Sequence, residues 1–78
     1  MKYPVIFERS KTGYGAYSPD VPGCITTGPT LEETRKLMKE ALEFHFEGLA
    51  EDGLEIPKPT SHAEDIEVRL PVAHKLAS

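Results

Sequence analysis

The histidines and the single cysteine of this sequence are the first candidates for metal binding or nucleophilic chemistry. The three histidines, His45, His62 and His74, lie 17 and 12 residues apart, and Cys24 is the single cysteine. Protein zinc sites draw on closely spaced cysteine and histidine pairs, and this sequence contains no such pair. His45 falls on the apolar side of a predicted helix, where a hydrogen-bonded, partly buried histidine is more common than a catalytic one. We therefore expect no metal ion and no cofactor.

The sequence motifs of common enzyme classes are also missing. Gly13, Tyr14 and Gly15 match only a fragment of the glycine-rich fingerprint that binds dinucleotides, and a hairpin turn explains these residues better. The sequence has neither a phosphate-binding loop nor a Gly-x-Ser-x-Gly nucleophile turn. We therefore predict that the protein is not an enzyme.

The distribution of charge gives the first positive indication of function. Residues 40–57 contain no lysine or arginine and six acidic residues, which are Glu40, Glu43, Glu47, Glu51, Asp52 and Glu55. Negative charge at the C-terminal end of a helix opposes the helix dipole, and carboxylates spaced four residues apart repel one another. Such an arrangement either serves solubility alone or docks a basic protein. We predict that Glu43, Glu47 and Glu51 bind a protein partner.

Length and composition describe one small domain. The chain has 78 residues and a net charge of −4, and 38% of its residues are hydrophobic. A negative chain without a basic cluster is not expected to bind nucleic acid directly. A lone cysteine cannot form an internal disulfide, and no apolar run is long enough to span a membrane, so we expect a cytoplasmic protein.

Three short strands are predicted in the first third of the chain. They cover residues 3–8, 14–18 and 24–28, which alternate in polarity or are rich in small and β-branched residues. Turn-forming residues separate them at positions 10–13 and 19–23. Because both connections are short, we expect an antiparallel meander.

One long amphipathic helix is predicted from Leu31 to Asp52. Thr30 and Glu33 have the spacing of a capping box at its start. Gly53 is a stop signal at its end, because glycine readily adopts the left-handed conformation there.

The apolar arc of this helix is wider than a small sheet needs. Leu37 and Phe44 lie on one flank of the arc and Phe46 lies on the other. A core this small gains stability from association. We predict that Leu37, Phe44 and Phe46 form the interface of a homodimer or higher oligomer.

A fourth strand is predicted after the helix. Asp65 to Leu70 alternates between polar and apolar residues, with Ile66, Val68 and Leu70 on one face. The helix connects this strand to the earlier ones as a long crossover, which makes the fourth strand parallel to one of them. Placing the fourth strand beside the first strand gives the order 3-2-1-4. The prediction is an α+β domain that spans residues 1–70 and has the element order β-β-β-α-β. One helix packs on a four-stranded mixed sheet, and residues 71–78 form a tail.

Two stretches of the sequence resemble the HicB family of antitoxins. Residues 17–24 read Tyr-Ser-Pro-Asp-Val-Pro-Gly-Cys, and residues 28–33 read Gly-Pro-Thr-Leu-Glu-Glu. Residues 51–59 resemble the helix exit of the same family, and the similarity runs from about Tyr3 to Leu70. The resemblance, to a HicB-like domain of the stand-alone UPF0150 type, implies a partial ribonuclease-H-like fold of order β-β-β-α-β.

The resemblance also implies a function and a partner. HicB proteins bind HicA toxins, which are small basic ribonucleases that cleave mRNA, and mask their active sites. The chain would then be the antitoxin of a type II toxin-antitoxin system. Many family members carry a C-terminal DNA-binding domain, for which residues 71–78 leave no room, so we expect none here.

Two alternatives to the antitoxin remain open. The first is an orphan dimeric scaffold or protein-binding domain that has the HicB-like fold without a toxin. The second is a metal-dependent nuclease, which requires several converging carboxylates. Glu8 and Asp20 lie on or after the early strands, but they do not make up such a set.

Overall fold

The computed structural model describes residues 1–72 and 75–77, and His74 therefore lies outside the described residues. Within that part of the chain, three strands precede one helix: β1 (Ile6–Arg9), β2 (Tyr14–Tyr17), β3 (Ile25–Gly28) and α1 (Leu31–Glu51). The three early strands and the helix agree with the sequence prediction. The first strand begins at Ile6 rather than Tyr3, so the residues around Pro4 lie outside the paired region.

The strands form an antiparallel sheet in the order β1-β2-β3. Phe7 lies opposite Ala16, and Ala16 lies opposite Thr26, so the three side chains share one face of the sheet. Ala16 is buried in the core together with Met38 and Leu42, so this face is the one covered by the helix. The helix packs mainly against β2 and β3. Because it covers β1 less, the helix-facing side chains of β1 border an open groove.

The prediction of a fourth strand, and with it the four-stranded mixed sheet of order 3-2-1-4, is wrong. Residues 54–72 contain neither helix nor strand, and Ile66, Val68 and Leu70 are 75%, 68% and 46% exposed. The α+β class holds, but the order of elements is β-β-β-α. Alternating polarity indicates which side chains share a face, whereas a strand also needs a neighbour that satisfies its backbone groups.

The ends of the helix are fixed by local hydrogen bonds. At the start, the Glu33 N–H donates to Thr30 Oγ1 at 3.1 Å, as expected for an N-cap threonine. At the end, Gly53 has φ +69°, and the Leu54 N–H donates to the Leu49 carbonyl at 2.8 Å. This is the Schellman arrangement, in which a left-handed glycine lets the chain turn back and satisfy the last carbonyls.

The core that holds these elements together is small. Among the described residues five hydrophobic side chains are buried, and they are Ala16, Val21, Cys24, Met38 and Leu42. Val21 and Cys24 come from the proline-rich turn after β2, so this turn contributes to the core rather than only linking two strands. In the described part of the chain, no helix is long and apolar enough to cross a membrane.

Candidate functional site

An open groove runs between β1 and the middle of α1. Its apolar lining comes from Tyr3, Val5, Phe7, Met38, Leu42 and Phe46, and its volume is about 710 Å³. We call it the β1 groove. Among the described residues β1 pairs only with β2, so the outer backbone edge of β1 is open beside the groove. An open edge next to apolar side chains is a surface on which another chain can bind.

Contacts at one end of the β1 groove hold its wall in place. The rings of Tyr3 and Phe46 have centroids 4.9 Å apart, which joins the residues before β1 to the helix. The Tyr3 hydroxyl donates a hydrogen bond of 2.7 Å to the Pro57 carbonyl. The segment after the helix is therefore attached to the residues that precede β1.

Acidic side chains border this apolar surface. Glu43 and Phe46 line the β1 groove and also a neighbouring depression of about 520 Å³, which Glu47, Ala50 and Ile56 complete. Glu51 is exposed one helical turn beyond Glu47. An apolar centre with a charged rim is the usual composition of a protein-binding surface.

The three predicted partner-binding carboxylates do not have the same surroundings. Lys39 Nζ lies 2.9 Å from Glu43 Oε2, in an exposed pair four residues apart on the helix. This cation compensates much of the negative charge of Glu43. In the described chain, Glu47 and Glu51 form no ion pair, so the uncompensated charge lies toward the end of the helix.

The predicted oligomer residues are divided between two surfaces. Leu37 and Phe44 lie on one flank of the helix and are 40% and 77% exposed. Phe44 shares a depression of about 430 Å³ with Ile25, which is 71% exposed. Phe46 lies on the opposite flank and packs against Tyr3 of its own chain. The structure therefore does not bring the three residues together.

In the part of the chain that the structure describes, the cysteine and the histidines do not form a single cluster. Cys24 is buried, and burial raises the pKa of its thiol, which keeps the sulfur protonated and unreactive. His45 is half-buried beside Phe46, and the exposed His62 ring lies 3.0 Å from the Glu64 carboxylate. The residues that the structure describes include no group of three or more side chains that could hold a metal ion.

The structure contains one hydrogen-bonded site that the sequence did not predict. The Asp20 carboxylate accepts four hydrogen bonds of 2.8–3.1 Å, from the N–H and hydroxyl groups of Thr60 and Ser61. These bonds, chiefly the one from the Ser61 N–H, lower the pKa of Asp20 below its ordinary value of 3.8. We call this site the Asp20 clamp, and it attaches the segment after the helix to the turn after β2.

The lowered pKa gives a prediction for the pH dependence of the Asp20 clamp. A carboxyl whose pKa is lower in the folded state contributes stability above its unfolded pKa, and this contribution is lost as the pH falls through the folded pKa. We expect the clamp to hold at neutral pH and to open below about pH 3.8. The measurement is an NMR titration of the Thr60 and Ser61 amide signals.

The matched control for this titration is Asp20→Asn, which keeps the shape of the side chain and removes the titrating group. In this variant we expect the Thr60 and Ser61 amide signals to show no step in this pH range. We also expect these two amide protons to exchange faster with solvent at neutral pH. A wild-type midpoint at or above 3.8 would contradict the assignment.

Taken together, these features define a class of protein. A small α+β scaffold presents an open strand edge, an apolar groove and an acidic rim, which is a combination common on surfaces that bind other proteins. The sequence matches the family model of the HicB-like antitoxins of bacterial toxin-antitoxin systems over residues 3–69. The chain belongs to this family.

Individual relatives agree with this assignment. The chain is 39% identical to antitoxin HicB 2 of Photorhabdus laumondii over 77 residues, which are 97% of this chain and 55% of that protein. It is 48% identical over 58 residues to an uncharacterised 14.9 kDa protein of Haemophilus phage HP1, covering 74% of this chain and 44% of the phage protein. The chain thus spans about half the length of these relatives. It is also 38% identical to a UPF0150 protein of Thermoplasma acidophilum, covering 87% of this chain and 97% of that protein.

A solved structure has the same fold. A chain of the HicA3 and HicB3 toxin-antitoxin complex superposes with a TM-score of 0.68 at 32% sequence identity. The match covers 77% of this chain and 70% of that chain. The residues of the proline-rich turn and the helix cap, which carried the family resemblance, have structural roles in this fold.

Proposed function

We propose that the protein is the antitoxin of a type II toxin-antitoxin system and neutralises a HicA-type ribonuclease in the cytoplasm. The observation that carries the proposal is the β1 groove with its acidic rim, on a chain of the HicB-like family. A related chain occurs in a complex of HicA3 and HicB3, which supports a HicA toxin as the partner. Binding and masking are sufficient for this role, and no catalytic group is required of the antitoxin.

The charge of the surface suits such a partner. A ribonuclease that binds RNA carries a basic surface, because the phosphate backbone of its substrate is negative. The carboxylates of Glu47 and Glu51 would attract that surface, and the β1 groove would accept its apolar side chains. The antitoxin would then occupy the surface that RNA needs.

The test is a neutralisation assay with the product of a small basic reading frame adjacent to this gene. We expect the two proteins to co-purify and RNA cleavage by the toxin to stop at equimolar antitoxin. Growth arrest by the toxin should also be relieved by co-expression. Co-purification without inhibition of cleavage would argue for a scaffold rather than an antitoxin.

The acidic rim is tested with the triple variant Glu43→Gln, Glu47→Gln and Glu51→Gln. Because electrostatic attraction accelerates association, we expect the association rate at low salt to fall about tenfold and its salt dependence to flatten. The measurement is binding kinetics at several salt concentrations. An unchanged rate would exclude this rim as the docking surface.

The matched control removes the same number of charges elsewhere. Glu8, Glu40 and Glu64 are exposed and line neither the β1 groove nor the neighbouring depression. Their replacement by glutamine should change the association rate much less than the rim variant does. Equal effects of the two triple variants would show that net charge, rather than the rim, determines the rate.

A second candidate function is supported by the opposite flank of the helix. Phe44 and Ile25 border the same depression and are both largely exposed, which favours self-association through this surface. The protein would then be an orphan dimeric scaffold of the same fold. Sedimentation of Phe44→Ser together with Leu37→Ser tests this interface, since loss of a dimer is expected only if these residues form it.

A further inference from the structure

The chain that follows the helix is attached to the rest of the domain at three points. At the helix end, the Leu54 N–H donates a hydrogen bond of 2.8 Å to a carbonyl of the last helical turns. Further on, the Pro57 carbonyl accepts a partly buried hydrogen bond of 2.7 Å from the Tyr3 hydroxyl. The third point is the Asp20 clamp. We call residues 54–61 the strap, because both of its ends are attached.

The strap has little backbone freedom between its second and third points of attachment. The φ angles of Pro57 and Pro59 are fixed at about −65°, and a residue before proline is restricted to extended conformations. This restriction applies to Ile56 and Lys58. Few free torsions therefore remain between the Pro57 carbonyl and the Thr60 N–H, so a displacement at one point of attachment is passed on to the other.

The strap determines the positions of two apolar side chains next to the acidic rim. Tyr3 lines the β1 groove, and its ring is held by the hydroxyl bond to Pro57 and by the contact with Phe46. Ile56 belongs to the strap itself and lines the neighbouring depression together with Glu47. An aromatic and an aliphatic side chain thus depend on the strap for their place in the candidate binding surface.

The Asp20 clamp lies outside this surface. Asp20, Thr60 and Ser61 line neither the β1 groove nor the neighbouring depression. The turn that carries Asp20 is anchored in the core by the next residue, Val21, which is 1% exposed. The clamp therefore connects the end of the strap to the core of the domain.

We propose that Asp20 is a positioning residue for toxin binding, because it holds the strap and thereby fixes Tyr3 and Ile56 in the binding surface. This inference rests on the proposed function and adds to it a residue outside the β1 groove. A surface whose side chains are already ordered binds a partner more tightly, since less conformational entropy is lost on binding. With the clamp open, the toxin would have to order the strap at the expense of its own affinity.

The coupling between the clamp and the groove acts in both directions. If the closed clamp raises the affinity for the toxin, the bound toxin stabilises the closed clamp by the same factor. The amide protons of Thr60 and Ser61 report on the closed clamp, because both N–H groups donate to the Asp20 carboxylate. A clamp with a purely structural role would not respond to a toxin bound elsewhere.

The first experiment measures the binding of the toxin candidate from the neutralisation assay to the wild-type chain, Asp20→Asn and Asp20→Ala. We expect the affinity of Asp20→Ala to be about tenfold lower than that of the wild type. Asp20→Asn should be intermediate, because its amide oxygen still accepts part of the hydrogen bonds. The loss should appear mainly as faster dissociation with an unchanged salt dependence, unlike the effect expected for the rim variants.

Asp52→Ala is the matched control for the removal of one negative charge. Asp52 is exposed at the end of the helix and belongs neither to the strap nor to the Asp20 clamp. We expect it to bind the toxin like the wild type, and an equal loss in both alanine variants would assign the effect to net charge. All variants should keep the helix content of the wild type by circular dichroism, because Asp20 and Asp52 lie outside the helix and the strands.

The second point of attachment is tested with Tyr3→Phe, which keeps the ring beside Phe46 and removes the hydroxyl. We expect an affinity loss of about fivefold. Because both contacts act through one strap, Tyr3→Phe combined with Asp20→Ala should lose little more than Asp20→Ala alone. The control is Tyr17→Phe, since Tyr17 is exposed and does not line the β1 groove. If the two losses multiply in the double variant, the contacts act independently and the proposed role of the strap is wrong.

Hydrogen exchange measures the same coupling from the other side. When the toxin binds the wild-type chain, we expect exchange of the Thr60 and Ser61 amide protons to slow about tenfold, by the factor that Asp20→Ala loses in affinity. The Ser10 amide, which donates to the Gly13 carbonyl in the hairpin, is the reference and should change less.

Two results would overturn the proposal while leaving the proposed function intact. One is an Asp20→Ala chain that binds the toxin as tightly as the wild type, and the other is unchanged exchange at the clamp when the toxin binds. A wild-type chain that does not bind the toxin would instead contradict the proposed function itself. The two failures are therefore distinguishable in the same set of measurements.

Discussion

Replacement of Met38 by alanine is expected to lower the free energy of unfolding by about 2–5 kcal/mol. Met38 is 1% exposed and is among the largest fully buried side chains of the protein. It contacts the cluster formed by Ala16, Val21, Cys24 and Leu42, and the removal of its thioether would leave a cavity in the centre of that cluster. A domain of this size has a total stability of only about 3–5 kcal/mol, so much of the variant should be unfolded at room temperature.

Leu37→Ala is the matched control for this variant. Leu37 precedes Met38 on the same helix and is similar in size, but it is 40% exposed. Its replacement should cost about 1 kcal/mol or less, because only part of its apolar surface is buried. The measurement is urea unfolding of both variants, followed by the circular dichroism of the helix. A loss of similar size in the two variants would contradict the position assigned to Met38 at the centre of the core.

Met38 also links stability to the proposed function, because its side chain forms part of the floor of the β1 groove. If the proposed toxin binds in this groove, the loss of its binding in Met38→Ala should follow the unfolded fraction. Lowering the temperature until the variant is folded should then recover most of the binding. The rim variants are expected to behave differently, since they should change the association rate of a protein that remains folded.

The helix was predictable because its signals are local. Thr30 and Gly53 mark its ends in the sequence, and the hydrogen bonds of both ends agree with that prediction. The three early strands were predictable for the same reason, since short turns join them and fix their antiparallel order. The role of Val21 in the core is less evident from the sequence, because a proline-rich turn is expected at the surface.

The fourth strand could not be settled from the sequence because pairing is not a local property. Ile66, Val68 and Leu70 alternate as a strand does, but no sequence signal specifies the edge that they join. The Asp20 clamp presents the same difficulty. Asp20 and Thr60 are 40 residues apart, and a Pro-Asp turn followed much later by a Thr-Ser pair is too common a pattern to predict their contact.

The candidate site combines features that follow from the sequence with features that do not. Glu43, Glu47 and Glu51 lie along one side of the helix, as their spacing indicates, and their role in binding a partner stays a prediction. The pairing of Lys39 with Glu43 was not part of that prediction. This pair could have been predicted, since the two residues have helical spacing of four. The β1 groove itself could not, because it depends on how far the helix extends across the sheet.

A second large loss of stability is expected when Gly13 is replaced by alanine, because the structure leaves no space there for a methyl group. A Cβ atom on Gly13 would overlap the Gly28 carbonyl oxygen and lie 2.9 Å from Pro29 Cα. Both neighbours are backbone atoms at the end of β3 and the start of the helix, so they cannot move without disturbing the junction of sheet and helix. We expect Gly13→Ala to lower the free energy of unfolding by about 2–3 kcal/mol.

Gly48→Ala should have the opposite sign, which makes it the control. Gly48 lies in the last turn of the helix, and apart from its chain neighbours and the nearby backbone of the helix no atom lies within 4 Å of a Cβ built on it. Alanine restricts the unfolded chain more than glycine does, so we expect a gain of about 0.5–1 kcal/mol. Urea unfolding of the two variants therefore separates the close approach at Gly13 from the general effect of adding a methyl group. A stabilised Gly13→Ala would show that the hairpin and the end of β3 are not in contact. Binding of the proposed toxin provides a second comparison, because β1 enters this hairpin and the open edge of β1 depends on a correctly formed turn.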